Sequence, residues 1–439
     1  MVAVNNKIPI EKCIISFSHN KYSSRNEADT LSITKAEREI ADGKNGISHL
    51  ILRAENDDID QLKFLFLIRG IPIMCYALGN LLNSSLREIV VVGSEEVKKV
   101  MDRFLDIVGT CGKTIQFVLE DTQHLNLVNT MNLGRELLAP SKDELVLFQP
   151  GDLPFLYDLE KVLHLPDNKK YNMVLWLNAR QKMFPDLKKN PASEFVKRNY
   201  HYRTLSDHED GLLDLKEPNL YPINFSMMDS DIIDNLHSSR KDGQIIYAGI
   251  QTALQKPLRL LKVLPCFIDH LLTFRSKVNR IRSGDQYQFG MSRKNFHKGA
   301  SHLLNTPITT MVHDDPAFVS DVDALEDWED FESLTHYAEK IHGPEGGLES
   351  IHPFGKSLAR FREEGMPELQ TEIHMYRDFP SYLNSIYETL KMGYVPFDKD
   401  NQYILPNAES KEVELVYHWY QQRCERLQQN TRSENQQQC

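Results

Sequence analysis

Glu144-Leu145-Val146-Leu147-Phe148-Gln149-Pro150-Gly151-Asp152-Leu153-Pro154 decides how this chain folds. Its first half is an apolar run closed by a turn, the pattern of a strand buried on both faces. Its second half, Pro-Gly-Asp-Leu-Pro, cannot continue a strand and delivers a carboxylate where the strand ends. The same strand-then-helix unit recurs on either side. Ile47–Leu52 is strand-like, and Pro72–Leu82 is helical with proline in its first turn. Glu88–Val92 is a β-branched strand, and Ser94 is an N-cap for a helix reaching Val108. Thr114–Leu119 precedes a helix over Leu127–Leu138, Glu144–Gln149 precedes one over Phe155–Leu165, and strand Met173–Leu177 follows. This alternation predicts an α/β fold: a mostly parallel central sheet with helices on both faces. Ligands of such sheets bind at the carboxyl ends of the strands. That rule singles out Arg53–Leu62, Gly93, Glu120–Asn126 and Pro150–Pro154.

The 439 residues carry 51 Lys and Arg against 62 Asp and Glu, a net charge of −11, and are 41% hydrophobic. The apolar fraction supplies a large core and excludes a disordered chain. The acidic balance argues against a protein that tracks nucleic acid, so an anionic ligand needs a local basic pocket or a metal ion. Six cysteines lie far apart without a C-x-x-C pair, which suggests neither a zinc site nor a disulfide scaffold. Residues 1–10 lack the apolar core of a signal peptide, and no run reaches the ~18 apolar residues of a membrane span. The expectation is a soluble, cytoplasmic protein with no membrane partner.

Three features could carry chemistry. Asp152 can hold a divalent cation, since Mg²⁺ commonly takes one or two carboxylates plus phosphate oxygens; the same Gly-Asp-x-Pro also makes a turn and a helix cap. In Ser320-Asp321-Val322-Asp323, Asp323 with Glu326 forms a capping box for a helix starting at Ala324, which leaves Asp321 as the spare carboxylate. Asp321 could share a metal with Asp152 if the chain returns to the sheet there. Lys63, ahead of Phe64–Ile68 and Arg69-Gly70-Ile71-Pro72, offers phosphates a point charge, although most surface lysines do nothing specific. Gly355-Lys356-Ser357 is no P-loop, because Ser350 stands where a glycine is needed.

In order, Ile47–Leu52, Lys63 to Pro72, Glu88–Gly93, Gly151-Asp152-Leu153-Pro154 and Asp321-Val322-Asp323-Ala324-Leu325-Glu326-Asp327 resemble the molybdopterin-guanylyltransferase-like NTP transferases. These are nucleotidyltransferases of the GT-A type, with a Rossmann-like fold, and the resemblance spans roughly residues 46–335. It implies a Mg²⁺-dependent (or Mn²⁺-dependent) transfer of an NMP group from an NTP to a phosphorylated or other small acceptor, releasing pyrophosphate. It implies that Lys63 binds phosphates, and that Asp152 and Asp321, with Asp323, hold the metal. Arg53 and Asn129 are further nucleotide-binding candidates; Asn129 reads a base edge or serves as a helix-start amide. Leu215–Asn224, with Asn219 and Asn224, resembles the acceptor-facing region, and the basic Lys188, Lys197 and Arg198 before it are candidates for an anionic acceptor.

On that reading residues 46–177 form a nucleotide half and 178–341 an acceptor half. Residues 1–45 are a polar extension whose short apolar run, Cys13–Phe17, adds an edge strand or cap. A helix over 324–341 stops at Gly343–Gly347, and residues 342–439 form a helical appendage with a Gln-rich tail frayed after about Arg426. One departure stands out. Where the family has a glycine-rich loop after the first strand, Arg53–Leu62 has no glycine and four acidic residues, Glu55, Asp57, Asp58 and Asp60. A carboxylate ~4 Å from a phosphate charge costs ~1 kcal/mol in water and ~4 kcal/mol at an effective dielectric of 20. Two other classes therefore stay open: a GT-A glycosyltransferase, for which Asp321-Val322-Asp323 would be the D-x-D, and a catalytically silent relative that binds a nucleotide or a partner protein.

Overall fold

The computed structural model of the protein describes residues 9–18, 54–56, 59–61, 63–124, 126–155, 159–164, 171–179, 203–207, 211–216, 219–227, 261–266, 268, 291–313, 315–322, 325–372, 405 and 408–437. Among them ten strands form one sheet: β1 Lys12–Phe17, β2 Glu88–Gly93, β3 Thr114–Leu119, β4 Val146–Pro150, β5 Met173–Ala179, β6 Arg203–Asp207, β7 Gly211–Lys216, β8 Tyr221–Ile223, β9 Met291–Ser292 and β10 Ile308–His313. Their order is β9-β6-β7-β5-β8-β4-β1-β2-β3, with β10 on β5. The pairs β1–β2, β1–β4, β2–β3 and β5–β10 are parallel. Strand β8 runs antiparallel between β4 and β5, and β7 and β6 extend the sheet as an antiparallel pair. Through β3-β2-β1-β4 the winding is that of a Rossmann-like sheet, and its direction reverses between β1 and β4. A crevice opens at the carboxyl ends of strands at such a switch point.

The central strand corrects the sequence reading. Lys12–Phe17 is no edge strand of an extension: it is paired on both sides, and Cys13, Ile14, Ile15 and Phe17 are all fully buried. Burial on both faces explains its unbroken apolar run. Ile47–Leu52, expected in that place, lies outside the described residues.

Helices α1 Ile73–Leu82 and α2 Glu95–Val108 cover one face and α3 Leu127–Leu138 the other. As expected, Ser94 caps α2, its hydroxyl accepting from the Val97 N–H. Of the helix expected over Phe155–Leu165, the described residues hold one turn, α4 Glu160–Leu163. After α5 Arg293–Leu304 come α6 Leu325–Ile351, α7 Gly355–Glu364, α8 Met366–Glu372 and α9 Lys411–Gln437. The break read at Gly343 is present: φ is 78° and ψ 173° there, outside the helical region, and a second helical stretch continues to Ile351. Helix α9 continues through the Gln-rich stretch where fraying was expected. Nor are these helices merely appended. Val413, Val416, Tyr417, Tyr420 and Cys424 of α9 belong to the same core as Phe17, Leu147 and Phe155. Among the described residues, no helix is long and apolar enough to cross a membrane.

His352 sits at the joint between α6, α7 and the sheet. Its Nδ1 accepts from the Phe354 N–H at 3.1 Å, and its ring lies edge-on to Tyr76 and Phe155. Burial pushes its pKa down from 6.5 to about 3. Below pH 6.5 the unfolded chain binds a proton that the native imidazole refuses, so this group makes stability fall as pH drops from 6.5 toward 3. His352→Asn keeps an acceptor near the Phe354 N–H but does not titrate. Its melting temperature should fall less steeply with acid than that of the wild type; an unchanged slope would exclude His352 as the cause.

Candidate active site

The carboxyl ends of β1 and β4 are joined by backbone. The Gly151 N–H donates to the Ser16 carbonyl at 2.8 Å. A Cβ on Gly151 would lie 2.1 Å from Cδ1 of Phe17 and 2.8 Å from the Ser16 oxygen, so only glycine fits immediately before Asp152. Lys63 opens a 3₁₀ turn, Lys63–Leu65. The next residue, Phe64, sets its ring edge-on against Phe17, with centroids 5.5 Å apart. The turn that Lys63 opens therefore packs through Phe64 on the last residue of β1. The third segment arrives from far along the chain: the Val322 N–H donates to the Asp152 carbonyl at 3.0 Å. Asp152 is 9% exposed and Asp321 is half-buried. Backbone bonds thus join the Asp152 and Asp321 segments beside the ends of β1 and β4, and the Phe64 ring seats the segment after Lys63 on Phe17.

Strand β8 separates the two asparagines read as acceptor-binding. Being antiparallel to β4, it has its first end near the carboxyl end of β4 and its last near the amino end. Asn219 precedes it and bonds through its N–H to the Phe318 carbonyl at 3.4 Å, beside the Asp321 segment. The Asn219 Nδ2 is buried with no hydrogen-bond partner among the described residues. Asn224 follows β8, next to Ile223, which pairs with Val146 at the start of β4. Its amide donates to the Lys142 carbonyl at 3.0 Å and accepts from the Ser226 N–H at 3.0 Å. Asn224 is therefore not gathered with Asp152, a correction that strand direction makes. Asn129 donates to the His124 carbonyl at 3.0 Å, in the helix-start role. Arg53, Lys188, Lys197, Arg198 and Asp323 lie outside the described residues, as does the side chain of Lys63.

Two residues at the crevice escaped the sequence reading. Gln149 is fully buried at the end of β4, and neither side-chain polar atom has a hydrogen-bond partner among the described residues. The buried hydroxyl of Ser18, just beyond β1, is likewise unpartnered there. Each such orphan costs about 1–3 kcal/mol. The available signal was Gln149 itself, a polar residue inside an apolar strand.

With β1 at Lys12–Phe17, the segment that follows the first strand is not Arg53–Leu62. The residues that leave β1 are Ser18-His19-Asn20-Lys21-Tyr22-Ser23-Ser24-Arg25, with two cations and no acid. The acidic stretch instead contributes a separate hairpin, Ala54–Asn56 with Ile59–Gln61. Among the described residues, no group of three or more His, Cys, Asp or Glu could hold a metal ion. Asp152 and Asp321 are two carboxylates, the number a Mg²⁺ site uses when phosphate oxygens complete its shell.

The loops are braced from behind. Phe155, three residues past Asp152, stacks between Tyr76 (centroids 5.5 Å) and Phe331 of α6 (4.6 Å), with Tyr420 of α9 edge-on. The Asn80 amide donates to the Phe155 carbonyl at 3.2 Å. Asp315, ahead of the Asp321 segment, is fully buried and pairs with Arg423 of α9.

No protein-family profile matches the chain, and no curated protein matches it. Solved structures do. A hypothetical transferase from Thermus thermophilus is 15% identical with a TM-score of 0.39, covering 72% of this chain and 99% of that one. The inositol-1-phosphate CTP transferase from T. maritima is 13% identical with a TM-score of 0.29, covering 49% and 71%. At these identities and TM-scores the likenesses carry no argument about activity, which has to be read from the residues.

Gly151→Ala should destabilise the protein by roughly 1–3 kcal/mol through overpacking against Phe17, measured by urea denaturation. Adding Phe17→Leu, which vacates the ring's place, should recover part of that loss. An alanine variant as stable as the wild type would mean that the two strand ends are not in close contact.

Proposed function

We propose that this protein is a nucleotidyltransferase, moving an NMP group from an NTP to a small anionic acceptor and releasing pyrophosphate. One observation carries the reading: the Val322-to-Asp152 backbone bond sets two carboxylate-bearing segments side by side, at the strand end where the Lys63 turn packs on Phe17. An acceptor oxygen attacks the α-phosphorus, the bond from the α-phosphorus to the α–β bridging oxygen breaks, and pyrophosphate leaves with that oxygen. Such chemistry asks the protein mainly for positioning and charge stabilisation. Lys63 meets the phosphates as a point charge, and Asp152 with Asp321 holds the cation. Mg²⁺ bound there supplies neutralisation of the triphosphate and of the leaving pyrophosphate. The buried Asn219 amide offers an N–H donor toward the acceptor side.

Two sequence features bear on the rivals. A glycosyltransferase of this architecture carries its D-x-D at the end of the fourth parallel strand, where this chain has Gly151-Asp152. A silent relative is favoured by the absence of any glycine between β1 and Gly43, since backbone phosphate cradles depend on glycine.

Melting each NTP with the protein and Mg²⁺, alongside a pyrophosphate-release assay, separates these readings. A bound NTP at a hundred times its Kd should stabilise the fold by ~2.7 kcal/mol. Lys63→Ala should remove most of that shift and leave the ligand-free melting temperature alone. Asp152→Asn should remove its dependence on Mg²⁺. If no NTP at millimolar concentration raises the melting temperature with Mg²⁺ or Mn²⁺ present, the nucleotidyltransferase reading fails.

A further inference from the structure

The hairpin that follows Lys63 breaks a local rule. Leu67–Ile68 pairs antiparallel with Ile71–Pro72. Both residues of its loop have positive φ, 47° at Arg69 and 75° at Gly70. That is the geometry of a type I′ turn, whose first position favours Asn, Asp or Gly. The left-handed region costs a residue such as arginine roughly 1–2 kcal/mol. Residues persist there when the surrounding structure over-determines them, often at functional sites.

Arg69 is over-determined by the C-terminal helices. Its N–H donates to Glu332 Oε2 at 2.6 Å and its Nε to Glu339 Oε2 at 2.8 Å, both on α6. Arg362 of α7 donates to the Arg69 carbonyl at 3.3 Å and also pairs with Glu339. On the flanking strands, Trp328 of α6 donates to the Leu67 carbonyl at 2.7 Å, and Tyr76 of α1 donates to that of Ile68 at 2.9 Å. The Glu332 and Glu339 side chains are only 12% and 7% exposed and meet two guanidiniums that are 29% and 18% exposed. Closing the hairpin needs none of this, because Asn-Gly would close it better. What arginine adds is a rigid fork that reaches two carboxylates at once.

We propose that Arg69 is a positioning residue: gripped by Glu332, Glu339 and Arg362, it fixes the turn that begins at Lys63 against the end of β1. The C-terminal helices thereby set where the phosphate-binding lysine stands. The proposal rests on the nucleotidyltransferase reading and adds to it a residue that touches no substrate.

The test is the double variant Arg69→Asn with Glu332→Gln. Asparagine suits the turn, glutamine removes the carboxylate that would be orphaned, and the Glu339–Arg362 pair stays intact. In the ligand-free full chain, amide hydrogen exchange over residues 63–72 should quicken roughly tenfold, while exchange over Glu88–Gly93 stays as in the wild type. With saturating NTP and Mg²⁺, kcat should fall roughly 10- to 100-fold, with the acceptor KM unchanged. The single variant Arg69→Lys, with both carboxylates kept, should also lose kcat, because an ammonium cannot bridge both carboxylates. Unchanged exchange over 63–72, an equal rise over 88–93, or a local rise with wild-type kcat would each overturn the proposal. A wild-type chain that turns over no NTP would instead sink the nucleotidyltransferase reading and the catalytic half of this proposal, and the exchange data alone would then decide whether Arg69 holds the turn.

Discussion

The parallel pairing of β1 with β2 on one edge and β4 on the other governs everything around the crevice. In register, Cys13 faces Leu147 and Ile15 faces Gln149 across one edge, and Lys12 through Phe17 face Glu88 through Gly93 across the other. Strands that are parallel and in register end together, so Phe17 emerges beside Gly151. The Phe17 ring then fixes two things at once, the close approach of Gly151 and the seat of Phe64. Fully burying such a side chain is worth ~1.5–3 kcal/mol, a large share of the 5–15 kcal/mol that typically holds a domain together. The crevice is therefore a consequence of core packing before it is a consequence of any ligand.

The C-terminal helices extend that constraint to all three loops. Phe155 lies stacked against Phe331 and edge-on to Tyr420, tying the Asp152 loop to α6 and α9. Arg69 ties the Lys63 turn to α6, and Arg423 ties the Asp315 loop to α9. Trp419 lies 5.5 Å from the Arg423 guanidinium, covering it with an aromatic face. Buried ion pairs add little net stability, since desolvation offsets most of the Coulombic gain. What they do well is fix geometry, because a displaced partner leaves a charge unpaired. A fold that needed only stability at these places would do better with leucines.

Features written in local chemistry were legible in the sequence. Ser94 reads as a cap because a hydroxyl before an apolar helical pattern has few other uses, and it caps. Gly151-Asp152 reads as a strand-end turn because Pro150 and Pro154 forbid continuation. Features that depend on partners distant in sequence were not legible. Cys13–Phe17 is a short apolar run in a polar lead, and nothing nearby announces that it is covered on both faces and both edges. Asn219 and Asn224 look equivalent until the direction of β8 sends one to the crevice and the other to the far end of the sheet. Arg69 before a glycine reads as an exposed turn; its carboxylate partners stand 263 and 270 residues further on.

The charge balance at the crevice constrains how a nucleotide could enter. Three acids of this chain with net charge −11 are paired with guanidiniums where they stand: Glu332 and Glu339 with Arg69 and Arg362, Asp315 with Arg423. Exposed acids elsewhere are screened over ~8 Å at physiological salt. Asp152 and Asp321 stand close to the end of β4, joined through the Val322-to-Asp152 backbone bond. A triphosphate brought bare to within ~4 Å of either would meet ~4 kcal/mol of repulsion per charge pair at an effective dielectric of 20. The same two carboxylates attract a triphosphate that arrives as its divalent metal complex, because the cation then lies between the opposing charges. On the proposed reading, the carboxylates that exclude the free nucleotide are the ones that select its metal-bound form, and the cation is as much a condition of binding as of catalysis.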